Sequence, residues 1–144
     1  AAYAKEHYLL LIKEEPEIFH QMEQTISAVE SFLNKEMTLK ELKPHLAGAR
    51  SAAKEFADSR TADPVSLAAA RAVSTACAAA QTPTNAFGFL LYGAAACAYH
   101  SAGLSEAAAT YDRLAEEELQ GALQSLQAVA IPDEPHPVSI RWNC

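Results

Sequence analysis

No run of lysine and arginine occurs along this chain of 144 residues, which carries 11 Lys and Arg against 18 Asp and Glu. The net charge is −7 at pH 7. Phosphate backbones are bound by grouped cations that release counterions, so the composition argues against nucleic acid as a partner. An acidic surface instead keeps a protein soluble and favours a basic partner. Cysteine is scarce: Cys77, Cys97 and Cys144 are an odd count without a CxxC spacing, which provides no disulfide framework. Residues 1–8 lack the basic segment, apolar run and small-residue cleavage site of a signal peptide. The expectation is a reducing cytoplasm. No apolar run is long enough to span a bilayer either, since Ala86–Tyr99 falls short of the roughly 20 residues required. No membrane partner is expected.

The usual catalytic signatures are missing as well. There is no Gly-rich phosphate loop, no G-x-S-x-G elbow and no HExxH. Glu17 and His20 have the Glu-x-x-His spacing that aligns two metal ligands on one helical face, but a carboxylate-bridged di-iron bundle needs that pair twice. His45, His100 and His136 have no Glu three residues before them. Neither a metal nor another cofactor is expected.

Alanine is abundant, with 31 copies concentrated between Ala47 and Ala130. It has the best helix propensity, and its small side chain lets helix axes approach closely. The stretch Asn85–Tyr99, NAFGFLLYGAAACAY, is apolar on every face from Ala86 onward. A helix of that kind must be surrounded by other elements. The expectation is therefore an all-α single domain over 1–144, a bundle of about six helices around a buried central helix near 84–102.

The other helices follow from periodicity and stop signals. Tyr3–Lys13 makes a first helix, and Pro16 opens a second that runs to about Lys35. Ile18, Phe19, Met22, Ile26, Val29, Phe32 and Leu33 form its apolar stripe. Thr38 and Glu41 make a capping box for a third helix ending near Phe56–Asp58, with a kink or restart at Pro44. Asp63 and Pro64 start a fourth helix, Pro64–Ala80. Gly103 closes the central helix. Ser105 caps a sixth helix, Glu106–Ala130, with Ala108, Tyr111, Leu114, Ala115, Leu119, Leu123 and Leu126 facing inward. The proline-rich segment 131–144 is not helical, and Val138, Ile140 and Trp142 are expected to pack back onto the bundle.

Three groups of residues could carry function. Cys97 and His100 lie three apart on the central helix beside Tyr99, a possible thiol and base lining a pocket. Arg71 stands alone in LAAARAV, either reaching solvent over its alanine neighbours or pairing with a carboxylate. Glu116, Glu117 and Glu118, with Asp112 a turn earlier, make the densest acidic patch. That patch suits a protein partner.

The stretch ARAVSTACAAAQTPTNAFGFLLYGAAACA resembles a bacterial family labelled putative immunity proteins, attributed to polymorphic toxin systems. The family pattern is A-R…A-x-A-x-x-H-x-P-x-H-A-x-G-x-x-x-Y-A. Pro83, Ala86, Gly88 and Tyr92 match it, whereas Gln81 and Asn85 stand where the family often has histidines. The likeness extends upstream and covers Ala1–Leu126. It implies an all-α protein that neutralises a cognate toxin by binding it, with no catalytic residues to carry over. Gln81 and Asn85 keep hydrogen-bonding capacity at the turn before the central helix, and with the acidic patch they are the candidate partner-binding residues. Two other expectations stand beside this one: an enzyme or small-ligand protein with a pocket at Cys97 and His100, and a homo-oligomer that buries an Ala-rich face against its twin.

Overall fold

Capping chemistry fixes where the helices begin in the computed structural model, which describes residues 1–12, 15–59 and 62–137. Six α-helices occur among the described residues: α1 Ala2–His7, α2 Pro16–Leu33, α3 Leu39–Asp58, α4 Pro64–Ala78, α5 Ala86–Ala102 and α6 Ala108–Val129. Short 3-10 turns at Leu9–Leu11 and Pro83–Asn85 lead into α2 and α5. No strand is present among the described residues.

The Thr38–Glu41 capping box is complete, with Glu41 N–H donating to Thr38 Oγ1 and the Glu41 carboxylate accepting from Thr38 N–H. Asp63 caps α4 by accepting from Ser66 N–H at 2.8 Å. Gly103 ends α5 with φ +74, a left-handed conformation that glycine adopts at little cost. Pro44 sits inside α3 without a restart, since the helix is continuous from Leu39 to Asp58. Leu42 and Leu46 are buried on either side of Pro44, and such tertiary packing can outweigh one lost backbone bond.

The core differs from expectation in which helix is most enclosed. Ala68, Ala69, Ala70, Ala72, Val73, Ala76, Cys77 and Ala78 of α4 are all buried. That helix packs against α1, α2, α3 and α5, and against the Leu9–Leu11 turn. In α5, by contrast, burial is confined to Gly93, Ala94, Ala96 and Ala98, while Phe87, Leu91 and Tyr92 are exposed. Uniform apolarity put α5 at the centre. In fact it is sandwiched between α4 and α6, and its large side chains emerge along the open edges.

The start of α6 is a second correction. Ser105 does not cap it; the helix begins at Ala108 after an N-cap at Ala107 that makes no side-chain cap bond. The tyrosine at Tyr111 holds the intervening loop instead, accepting from Glu106 N–H at 3.0 Å and donating to Gly103 C=O at 2.9 Å. Residues 131–137 are non-helical and exposed. Val138, Ile140, Trp142 and Cys144 lie outside the described residues.

Candidate functional site

The orientation of α6 decides which of its carboxylates face outward, and two tyrosines from the N-terminal segment, Tyr3 and Tyr8, bond to that helix. Tyr8 follows α1 and has no exposed surface. Its ring lies against Gly93 of α5, so close that a Cβ there would fall 2.1 Å from Tyr8 Cζ. The Tyr8 hydroxyl donates to Glu118 Oε1 at 2.8 Å, and Tyr3 donates to the same oxygen at 2.9 Å. Burial, followed by the hydrogen bond and charge of Glu118, raises both phenol pKa values above their ordinary 10.0. Glu118 is therefore turned inward as the acceptor for two phenols.

With Glu118 inward, the acidic run divides. Glu117 is exposed and pairs with Arg113 at 2.6 Å. Glu116 is exposed and accepts from Gln120 at 3.1 Å. Asp112 and Glu116 share a stripe with Leu119, Leu123 and Leu126, at alternating spacings of four and three residues. Those leucines were expected to face inward. Instead Leu123 and Leu126 are 53% and 64% exposed, and the inward stripe is Tyr111, Leu114, Ala115, Glu118 and Ala122. The helix has apolar residues on two stripes, and the Tyr3–Tyr8–Glu118 bonds select the one that meets the bundle.

This outer stripe of α6 continues into an open apolar groove of about 480 Å³ between α5 and α6. Leu91, Ala95, Leu104, Tyr111 and Leu119 line it, with Asp112 at its edge. The surface so formed has an apolar centre and a carboxylate rim.

A second cleft, of about 320 Å³, opens between α3, α4 and α5. Arg50 and Lys54 enter it from α3, Arg71 from α4, and Asn85 and Tyr92 from the α5 side. Arg71 is exposed, so of its two expected arrangements it takes the one that reaches solvent, with its guanidinium over the Tyr92 ring, 5.8 Å from the centroid. Asn85 lines the same cleft as Arg71, while Gln81 stays exposed and outside the cleft lining. Sequence reasoning missed Arg50 and Lys54. Their spacing of four on one helix was a visible signal, but their partner Arg71 is 17 residues further on.

Cys97 and His100 do not assemble as a thiol and base. His100 is exposed, and Cys97 packs toward Glu118. Burial and then the Glu118 carboxylate push the Cys97 thiol up to about 12. Burial raises Cys77 to about 12 as well. An activated cysteine has the opposite environment, electropositive and with a lowered pKa. In a Cys144→Ser variant, neither remaining thiol should react with a disulfide reagent at pH 8 until the protein is unfolded. Native-state labelling within minutes would contradict this account of the two sites.

Among the described residues, no three His, Cys, Asp or Glu side chains converge to hold a metal. No helix there is long and apolar enough to cross a membrane. Comparison with known families gives a match to a family model described as Imm-5 like putative immunity protein, over residues 1–126. No curated protein and no solved structure matches the chain.

Proposed function

Since the chain belongs to the Imm-5 like putative immunity protein family, we propose that it neutralises a toxin polypeptide by binding it, without chemistry of its own. The outer stripe of α6 and its groove with α5 are the docking surface. One observation carries this reading: Leu91, Leu119, Leu123 and Leu126 are exposed on these two neighbouring helices, and Leu104 on the loop that joins them. Exposed apolar patches rimmed by polar groups are characteristic of protein interaction sites. Asp112 and Glu116 form the rim, and the chain carries a net charge of −7. The partner that fits is therefore a polypeptide with an apolar patch bordered by lysine or arginine.

Charge and apolar contact have separable roles. Rim charges steer encounter and act chiefly on the association rate, whereas buried anchors govern dissociation. Glu116→Lys with Asp112→Lys should slow association with the toxin about tenfold or more at low salt, an effect that shrinks at high salt. Unchanged kinetics would remove the rim from the interface. Leu123→Asp with Leu126→Asp should raise the dissociation rate and weaken binding at least tenfold. Surface plasmon resonance with the toxin recovered from the native cells measures both. The same leucine variant separates two other occupants of the face. A second copy would appear as a dimer by light scattering that the variant dissolves. The segment 138–144 would appear as a red shift of Trp142 emission in the variant. Either result, with toxin binding intact, would overturn this docking surface.

A further inference from the structure

We infer that the cleft between α3, α4 and α5 is an oxyanion-binding site, in which Arg50, Lys54 and Arg71 receive a carboxylate or phosphate group. Three of the chain's 11 Lys and Arg side chains converge there with a single carboxylate, Asp58. The cleft thus holds a surplus of two positive charges in a chain whose net charge is −7. None of the three cations forms an ion pair among the described residues.

That arrangement has a cost that a bound anion removes. Arg50 and Lys54 are four apart on α3, a spacing at which like charges destabilise a helix. Arg71 adds a third positive group from the facing helix. Its guanidinium lies over the Tyr92 ring, 5.8 Å from the centroid, a cation–π contact that leaves its planar fork available for bidentate bonds to an oxyanion. Ser74 and Asn85 line the same cleft and supply neutral donors. Charge, a planar fork and neutral donors together match a planar carboxylate or a phosphate oxygen face.

The cleft is distinct from the apolar face of α6, so the toxin-binding proposal and this one succeed or fail separately. The test uses the full chain, titrated in low-salt buffer at pH 7 with inorganic phosphate and, separately, with a tetraglutamate peptide. Proton–nitrogen correlation spectra report the site. The expected result is saturable shifts centred on the Asn85 side-chain amide and the Ser74 and Thr75 backbone. Arg50→Gln with Arg71→Gln should weaken that binding at least tenfold, and Lys40→Gln with Lys43→Gln, on the same helix but outside the cleft, should leave it unchanged. All four side chains are exposed, and unchanged circular dichroism will show that both variants fold. Phosphate saturating more tightly would identify a small free oxyanion as the ligand; tetraglutamate saturating more tightly would identify the acidic side chains of a polypeptide. Non-saturating shifts with both probes, or undiminished binding in the arginine variant, would overturn the inference.

Discussion

Gly93→Ala should destabilise the protein by about 3 kcal/mol or more, although alanine is the better helix former by about 1 kcal/mol. The added Cβ would lie 2.1 Å from Tyr8 Cζ and 2.4 Å from its hydroxyl oxygen. Tyr8 cannot yield, because it is wholly buried and bonded to Glu118 through that same hydroxyl. Relief requires either α5 to move from the N-terminal segment or Tyr8 to leave its slot. Both break the link between α1 and α6. Gly121→Ala on α6 is the matched control, since its Cβ would meet only Tyr3 Oη at 3.7 Å, an ordinary contact. That variant should gain a few tenths to about 1 kcal/mol from propensity. Urea denaturation of the two variants checks both signs, and equal behaviour would mean that Tyr8 does not occupy the slot beside Gly93.

The second large effect concerns Glu118. Glu118→Ala leaves the hydroxyls of Tyr3 and Tyr8 without their acceptor, and each hydrogen bond to a charged group is worth about 1.5–3 kcal/mol. We expect a loss of about 3 kcal/mol, against a total stability of about 5–15 kcal/mol for a domain. Glu118→Gln keeps an acceptor oxygen and should lose about 1 kcal/mol. The same cluster sets the alkaline limit of the fold. Tyr3 and Tyr8 have folded-state pKa values above their ordinary 10.0, so the unfolded chain releases their protons first. Their contribution is therefore complete below about pH 10 and is lost progressively as pH rises above it. Stability measured from pH 9 to 12 should fall more steeply in the parent than in a Tyr8→Phe variant. Parallel slopes would contradict the raised phenol.

Much of the architecture was legible because its signals are local. Thr38 with Glu41, Asp63 with Pro64, and Gly103 each act within a few residues, and each sets a helix boundary where it was read. The burial of α5 was not legible. A helix with no polar face has no directional signal, so nothing in Ala86–Tyr99 distinguished its covered side from its open edges. The enclosed helix is α4, whose alanines allow α2, α3 and α5 to close around it. The two stripes of α6 show the same limit: Leu119, Leu123 and Leu126 have an inward-looking spacing, yet the adjacent Glu118 faces inward instead, where the hydroxyls of buried Tyr8 and half-buried Tyr3 need an acceptor. That pairing spans 110 residues between Tyr8 and Glu118. The cationic cleft was hidden for a similar reason, since Arg71 meets Arg50 and Lys54 only when α4 lies against α3.

The inward glutamate also shapes the functional account. By fixing the rotation of α6, it leaves Asp112 and Glu116 in line with the exposed leucines and removes itself from the acidic face. On the proposed docking surface, recognition of a toxin would combine a carboxylate rim with an apolar centre on one side of the molecule. The measurement that tests this most directly is growth of cells expressing the cognate toxin together with either the parent chain or Leu123→Asp/Leu126→Asp. Both chains should be equally abundant and helical, because the two leucines are largely exposed. The account predicts that the parent restores growth and the variant does not. Equal rescue by both would contradict it.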